Sequence, residues 1–153
     1  MNKKLSVLIV DDSLLIRKQL RSILEKLEIK VLGDAKDATE AIQLYRQLKP
    51  DFVTMDITLD KIDGIEAVKR IKKIDPEAKI IMVTSYGQEE KVFKSIKAGA
   101  KSYLLKPIIV EKLVSILDKL FPEYMERRVR KENNERAEAK RASKFTTLKN
   151  SDE

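Results

Sequence analysis

Six residues of this 153-residue chain have side chains suited to phosphoryl chemistry: Asp11, Asp12, Asp56, Thr84, Ser85 and Lys106, the last followed by Pro107. Three carboxylates held close together repel, and alone they would raise one another's pKa values. A hard dication removes the conflict. Mg²⁺ takes octahedral oxygen ligands and keeps several waters, so one or two carboxylates with a carbonyl and a phosphate oxygen suit it. Lys106 could pair with a carboxylate or a phosphoryl oxygen, and the Thr84 hydroxyl could donate to the same oxygen. An aspartate nucleophile, a metal, a cation and a hydroxyl donor then surround one site. Phosphoryl transfer needs mostly positioning and charge stabilisation, and this set supplies both.

Each of these residues stands at the end of a short apolar run, and the runs are what must position them. Leu5–Val10, Lys30–Leu32, Phe52–Met55, Ile80–Val83 and Ser102–Leu105 are rich in β-branched and apolar residues. Between them the apolar residues recur with helical spacing. Leu14, Ile16, Leu20, Ile23, Leu24 and Leu27 mark the first helix, and Ala38, Ala41, Ile42 and Leu44 to Leu48 the second. Ile65, Val68 and Ile71 mark the third, Val92, Phe93 and Ile96 the fourth, and Val110, Leu113, Ile116, Leu117 and Leu120 the fifth. Gly99 reads as the C-cap of the fourth, and Asp63-Gly64 as a turn and helix start. Strands alternating with helices at this spacing predict an α/β fold, a parallel sheet with helices on both faces. Ligands of such sheets bind beyond the carboxyl ends of the strands. If strands 1, 3, 4 and 5 are neighbours, the six residues converge in one shallow cleft.

Composition removes other chemistries. With no Cys and no His, disulfide frameworks, Cys- or His-ligated metals, cysteine nucleophiles and Ser-His-Asp triads are excluded. Hydrophobic residues make up 42% and charged residues 37%, enough for a core and more charge than a typical domain carries. The net charge of +7 is spread along the chain, +5 over residues 1–121 and +2 over 122–153. The N-terminal run Leu5–Val10 is too short to cross a bilayer and is stopped by Asp11-Asp12. A cytoplasmic protein without membrane insertion is expected.

The motifs VLIVDDS at 7–13, DFVTMDI at 51–57, DG at 63–64, MVTS at 82–85 and AGAKSYLLKP at 98–107 occur in this order. Taken singly they are ambiguous, since acids also suit a helix N-terminus and Thr-Ser is a common cap. Together they resemble the receiver domain of response regulators in two-component signalling, over residues 5–121, and within that family the stand-alone chemotaxis type. The resemblance implies a flavodoxin-like (βα)5 three-layer sandwich whose strand order, 2-1-3-4-5, is the family's and not a deduction from periodicity. It implies that Asp56 accepts a phosphoryl group from a histidine kinase or phosphotransfer protein. Asp12 and Asp56 would bind Mg²⁺, Asp11 would hold it through water, and the backbone carbonyl of Thr58 would be a further ligand. Lys106 would contact the phosphate, with a cis bond to Pro107. Thr84, with Ser85 beside it, would move toward the phosphate as Tyr103 turns inward. The surface of helix 4, strand 5 and helix 5 would then bind a downstream target, a motor-switch or relay component.

Some positions depart from the family pattern. Leu59-Asp60 stands where Met-Pro is usual, which adds a negative charge to the loop after the acceptor. Tyr86 is large and Thr58 small and neutral at the positions flanking the acceptor, and both are expected to tune hydrolysis, Tyr86 by shielding the phosphoryl group. The domain is expected to end at residue 121. Residues 122–153 form a charged extension, read as a solvated helix over 123–142 and a disordered end from 143. Arg127, Arg128, Arg130 and Lys131 are flanked by acids without interleaved aromatics, so nucleic acid is not expected as a partner. A monomer is expected, with dimerisation on phosphorylation left open. The reading is of a signalling module rather than an enzyme. Its alternatives are a phosphorelay intermediate, a transcription regulator whose tail contacts DNA, and a phosphatase with an aspartate nucleophile.

Overall fold

The computed structural model describes residues 4–151. Strands and helices alternate as β1 (Ser6–Val10), α1 (Leu14–Lys26), β2 (Lys30–Ala35), α2 (Ala38–Leu48), β3 (Phe52–Asp56), α3 (Gly64–Ile74), β4 (Ile80–Thr84), α4 (Glu89–Ala98), β5 (Ser102–Leu105) and α5 (Val110–Leu120), followed by α6 (Pro122–Ser151). The five strands form one parallel sheet in the order β2-β1-β3-β4-β5. The chain divides into two compact units between Leu113 and Val114, inside α5.

In the first unit, β1, β3 and β4 are buried along their whole length, as strands covered on both faces must be. Successive side chains alternate between the faces. Leu8, Val10, Val53, Met55, Ile80 and Met82 join Ala38, Ala41 and Tyr45 of α2 and Ala67, Val68 and Ile71 of α3 in one core cluster. α2 packs against α3, and α3 against α4. The alternate residues Val7, Ile9, Phe52, Ile81 and Val83 are equally buried, as are Leu20 and Leu24 of α1. α1 runs against β1 and β2.

The helices start where side chains satisfy their free N–H groups. Ser13 accepts from Ile16, Asp37 from Glu40 and Asp63 from Glu66. Gly99 closes α4 with a φ of 118°. α4 itself differs in part from expectation: of the three residues that mark its period, Val92 packs against the core cluster, but Phe93 is 60% and Ile96 42% exposed. Its buried residue is Ser95, whose hydroxyl is satisfied by the Lys91 carbonyl at 2.8 Å. Periodicity located the helix but only part of the face it buries.

The second unit contains the later turns of α5 and all of α6. Pro122, which has no N–H to satisfy, opens α6, and the backbone bonds Phe121 N to Leu117 O and Met125 N to Phe121 O carry the chain from one helix to the next. The end of the chain differs from expectation. Residues 143–151, expected to be disordered, continue α6. No Gly or Pro follows Pro122, and the alanines, lysines, arginines and glutamates that fill the segment are strong helix formers. Arg128 and Glu132 add an ion pair one turn apart, at 3.2 Å. Residues 152–153 lie outside the described residues.

Candidate functional site

The strand order sets β1 beside β3, β3 beside β4, and β4 beside β5. Because all five strands run parallel, their carboxyl ends share one edge of the sheet. Asp11 and Asp12 follow β1, Asp56 is the last residue of β3, Thr84 the last of β4, and Lys106 follows β5. Carboxylate oxygens of Asp11, Asp12 and Asp56 lie within 4.8 Å of one another. Asp11 and Asp56 are buried and Asp12 is exposed.

Lys106 answers this charge. Its Nζ lies 3.0 Å from Asp11 Oδ2 and 3.6 Å from Asp56 Oδ2. The peptide bond between Lys106 and Pro107 is cis. Backbone groups hold the other oxygens: Ser13 N–H donates to Asp11 Oδ1 at 2.9 Å and Thr58 N–H to Asp56 Oδ1 at 3.1 Å. Asp11 Oδ2 is buried, and the Lys106 ammonium at 3.0 Å is its charged partner. Burial pushes the Asp56 carboxyl up to about 6, helped by the charges of Asp11 and Asp12 and opposed by Lys106 and the Thr58 amide. Three carboxylates whose oxygens lie within 4.8 Å of one another, one of them held above its ordinary range, form a donor set that suits a hard dication, which takes oxygen ligands and disfavours protonation.

The other expected residues fall into two groups. Thr84 is buried and its hydroxyl is engaged, donating to Gln88 Oε1 at 2.7 Å. Thr58 is exposed and accepts from Gln88 Nε2 at 2.8 Å. Ser85 is exposed. Tyr103 is 49% exposed and Tyr86 79% exposed, so in this conformation most of each ring faces water.

Two residues of the site carry no motif signal in the sequence. Gln88 bridges Thr84 and Thr58. A glutamine at a helix N-cap, where Ser, Thr, Asp or Asn is preferred, was the only available hint. Arg17 donates from Nη1 to the Asp11 carbonyl at 2.6 Å, and its Nε lies 3.8 Å from Asp34. It braces the backbone behind the acids from one turn into α1, and no motif flagged it.

Residues 7–118 match the response regulator receiver domain family. The chain belongs to that family. It is 46% identical over 114 residues to the chemotaxis protein CheY of Thermotoga maritima, covering 74% of this chain and 95% of the relative. With the CheY of Bacillus subtilis it shares 40% identity over 113 residues, 74% of this chain and 94% of the relative. Among solved structures, CheY in the CheX-CheY-BeF3-Mg²⁺ complex of Borrelia burgdorferi superimposes with a TM-score of 0.72 at 34% identity, covering 76% of this chain and 89% of that one. No helix among the described residues is long and apolar enough to cross a membrane.

Proposed function

We propose that the chain is a phosphorylation-dependent switch of a two-component pathway, acting in chemotaxis, with Asp56 as the phosphoryl acceptor. The observation that carries the reading is the placement of one ammonium, Lys106 Nζ, 3.0 Å from Asp11 and 3.6 Å from Asp56 inside a group of three acids. A carboxyl group with a pKa of about 6 is mostly ionised at neutral pH, so Asp56 is available as a nucleophile. A carboxylate oxygen of Asp56 forms the bond to phosphorus as the donor's P–N bond breaks, and the electron pair of that bond returns to the imidazole of a kinase or phosphotransfer histidine. Lys106 is then placed to pair with a phosphoryl oxygen. Asp12, Asp56 and the Thr58 carbonyl would hold Mg²⁺, with Asp11 acting through water. When bound, the ion neutralises charge shared by the carboxylates and the phosphoryl group.

The output of the switch is protein binding at the face of α4, β5 and the first residues of α5, Val110 to Leu113, to a motor-switch or relay component in the cytoplasm. Phe93, Ile96 and Tyr103 are exposed there. Thr84 and Tyr103 bias that face between two packings. Tyr86 shields the phosphoryl group only by folding in from its exposed position, and a Tyr86→Ala variant is expected to lose phosphate faster. The domain ends near residue 121, and α6 is a charged extension of it.

The test is incubation with Mg²⁺ and a small acyl phosphate, followed by intact-mass measurement. Wild type is expected to gain one phosphate only when Mg²⁺ is present, and Asp56→Asn none. Equal gain in both proteins overturns the assignment. Phosphate release continuing beyond one equivalent per chain from a panel of phosphate esters would favour the phosphatase alternative. A pull-down with and without beryllofluoride then reports whether the partner depends on the activated state.

A further inference from the structure

Gln88 has no part in the roles assigned above, yet it joins three elements of the site. It stands at the N-cap of α4 with φ −114° and ψ 27°, where it makes no side-chain capping bond. Its amide reaches across the cleft instead, accepting from Thr84 Oγ1 at 2.7 Å, a closer acceptor for that hydroxyl than the Ser85 carbonyl at 3.2 Å, and donating to Thr58 Oγ1 at 2.8 Å. The Thr58 N–H in turn holds Asp56 Oδ1 at 3.1 Å. Gly87, at a φ of 87°, supplies the left-handed turn that brings Gln88 back over the loop. One side chain therefore ties the loop after β4, the loop after β3 and the first turn of α4.

A threonine hydroxyl has a single proton to donate. While that proton is on Gln88 Oε1, it is not available to a phosphoryl oxygen beside Asp56. The geometry points to Gln88 as a latch that competes with the phosphoryl group for the Thr84 hydroxyl and reports the outcome to α4. The inference rests on Asp56 being the acceptor. A hydrogen bond to a charged phosphoryl oxygen is stronger than one to a neutral amide, so phosphorylation draws the Thr84 proton away. Gln88 then loses that anchor, and the first turn of α4, which has no side-chain cap of its own, is released. Gln88 is a positioning residue: it acts through Thr84 and touches no reacting atom.

The test compares wild type, Gln88→Ala, Thr84→Ala and the double variant by titration with beryllofluoride in excess Mg²⁺, a stable stand-in for the phosphoryl group. Removing a competing neutral hydrogen bond is expected to tighten beryllofluoride binding about fivefold in Gln88→Ala. In the Thr84→Ala background the same change is expected to have no effect, because the contested proton is gone. Unchanged or weaker binding in Gln88→Ala overturns the latch, as does a gain that persists undiminished in the Thr84→Ala background. A second measurement reads α4 directly. The Val92 amide, bonded to the Gln88 carbonyl at 3.0 Å, is expected to exchange faster when beryllofluoride binds wild type, and to exchange fast from the outset in Gln88→Ala. Equal Val92 protection in the two free proteins also overturns the latch, and this arm decides if Thr84→Ala binds too weakly to titrate. Failure of the acceptor assignment looks different: wild type and Asp56→Asn would then respond to beryllofluoride alike.

Discussion

A Cβ atom on Gly64 would lie 2.2 Å from the carbonyl oxygen of Asp56 and 3.0 Å from Cα of Ile57. The first residue of α3 thus presses against the backbone of Asp56, and its N–H donates to the Ile57 carbonyl at 3.0 Å. Only hydrogen fits between them. Gly64→Ala is expected to push α3 and the loop after β3 apart and to lower stability by about 1–3 kcal/mol, read as a shift in urea midpoint. The displacement also moves Asp56, so phosphate uptake from an acyl phosphate should fall more steeply than the loss of folded protein explains.

Lys106 lowers the Asp56 pKa against burial and two neighbouring acids. Lys106→Met keeps the aliphatic stem and removes the charge. In the metal-free protein the Asp56 pKa is expected to rise above its value of about 6, measured by carboxyl carbon NMR titration. Folding stability at pH 8 should drop by about 1–3 kcal/mol, since a buried carboxylate loses its charged partner.

The raised Asp56 pKa sets a sign for pH dependence. Between about pH 4 and about pH 6 the folded chain holds a proton on Asp56 that the unfolded chain has released. Its contribution to stability is therefore present at the acid end of this window and is lost as pH rises through it. Thermal melts in chelator should show the wild-type Tm falling relative to Asp56→Asn between those limits. Added Mg²⁺ reverses the trend, because a cation competing with the proton binds more tightly as pH rises.

Tyr45 and Asp75 connect the end of α2 to the end of α3, with the phenol donating to Asp75 Oδ2 at 2.7 Å. This bond holds the Asp75 carboxyl below the usual carboxylate range, and burial pushes the Tyr45 phenol up. Tyr45→Phe is expected to cost about 1 kcal/mol near neutral pH. The Asp75 contribution is present above the ordinary carboxylate pKa and is lost as pH falls through its lowered value, so the difference between Tyr45→Phe and wild type should shrink toward pH 2. Paired denaturation curves at several pH values check this.

The strands were legible because each is a short apolar run, β-branched and fully buried in β1, β3 and β4. Ser102–Leu105 was located as it stands, and the edges of β1, β3 and β4 shifted by a single residue. β2 was cut short at Leu32, although it continues through Gly33 and Asp34 to Ala35. Neither residue favours a strand, and pairing with β1 supplies what their propensities lack. The convergence of Asp11, Asp12, Asp56 and Lys106 was legible once strand ends were assumed to share an edge. Gln88 and Arg17 were not, because each acts through a long side chain reaching a neighbouring segment, and sequence spacing does not encode that reach. The helical end of α6 was misjudged because an apolar stripe was required of it, and a helix of strong formers can persist without one.

The mismatch between β1 and β2 has a consequence for colloidal behaviour. Val7 faces Val31 but Leu8 faces Gly33, so Leu32 is an extra residue on the outermost strand. Such an insertion bends the rim and breaks the regular ladder that another chain would need as a template. At the opposite rim β5 offers only four residues. The sheet thus ends on both sides in poor surfaces for strand-to-strand recruitment, which guards a crowded population of these chains against fibrous self-association.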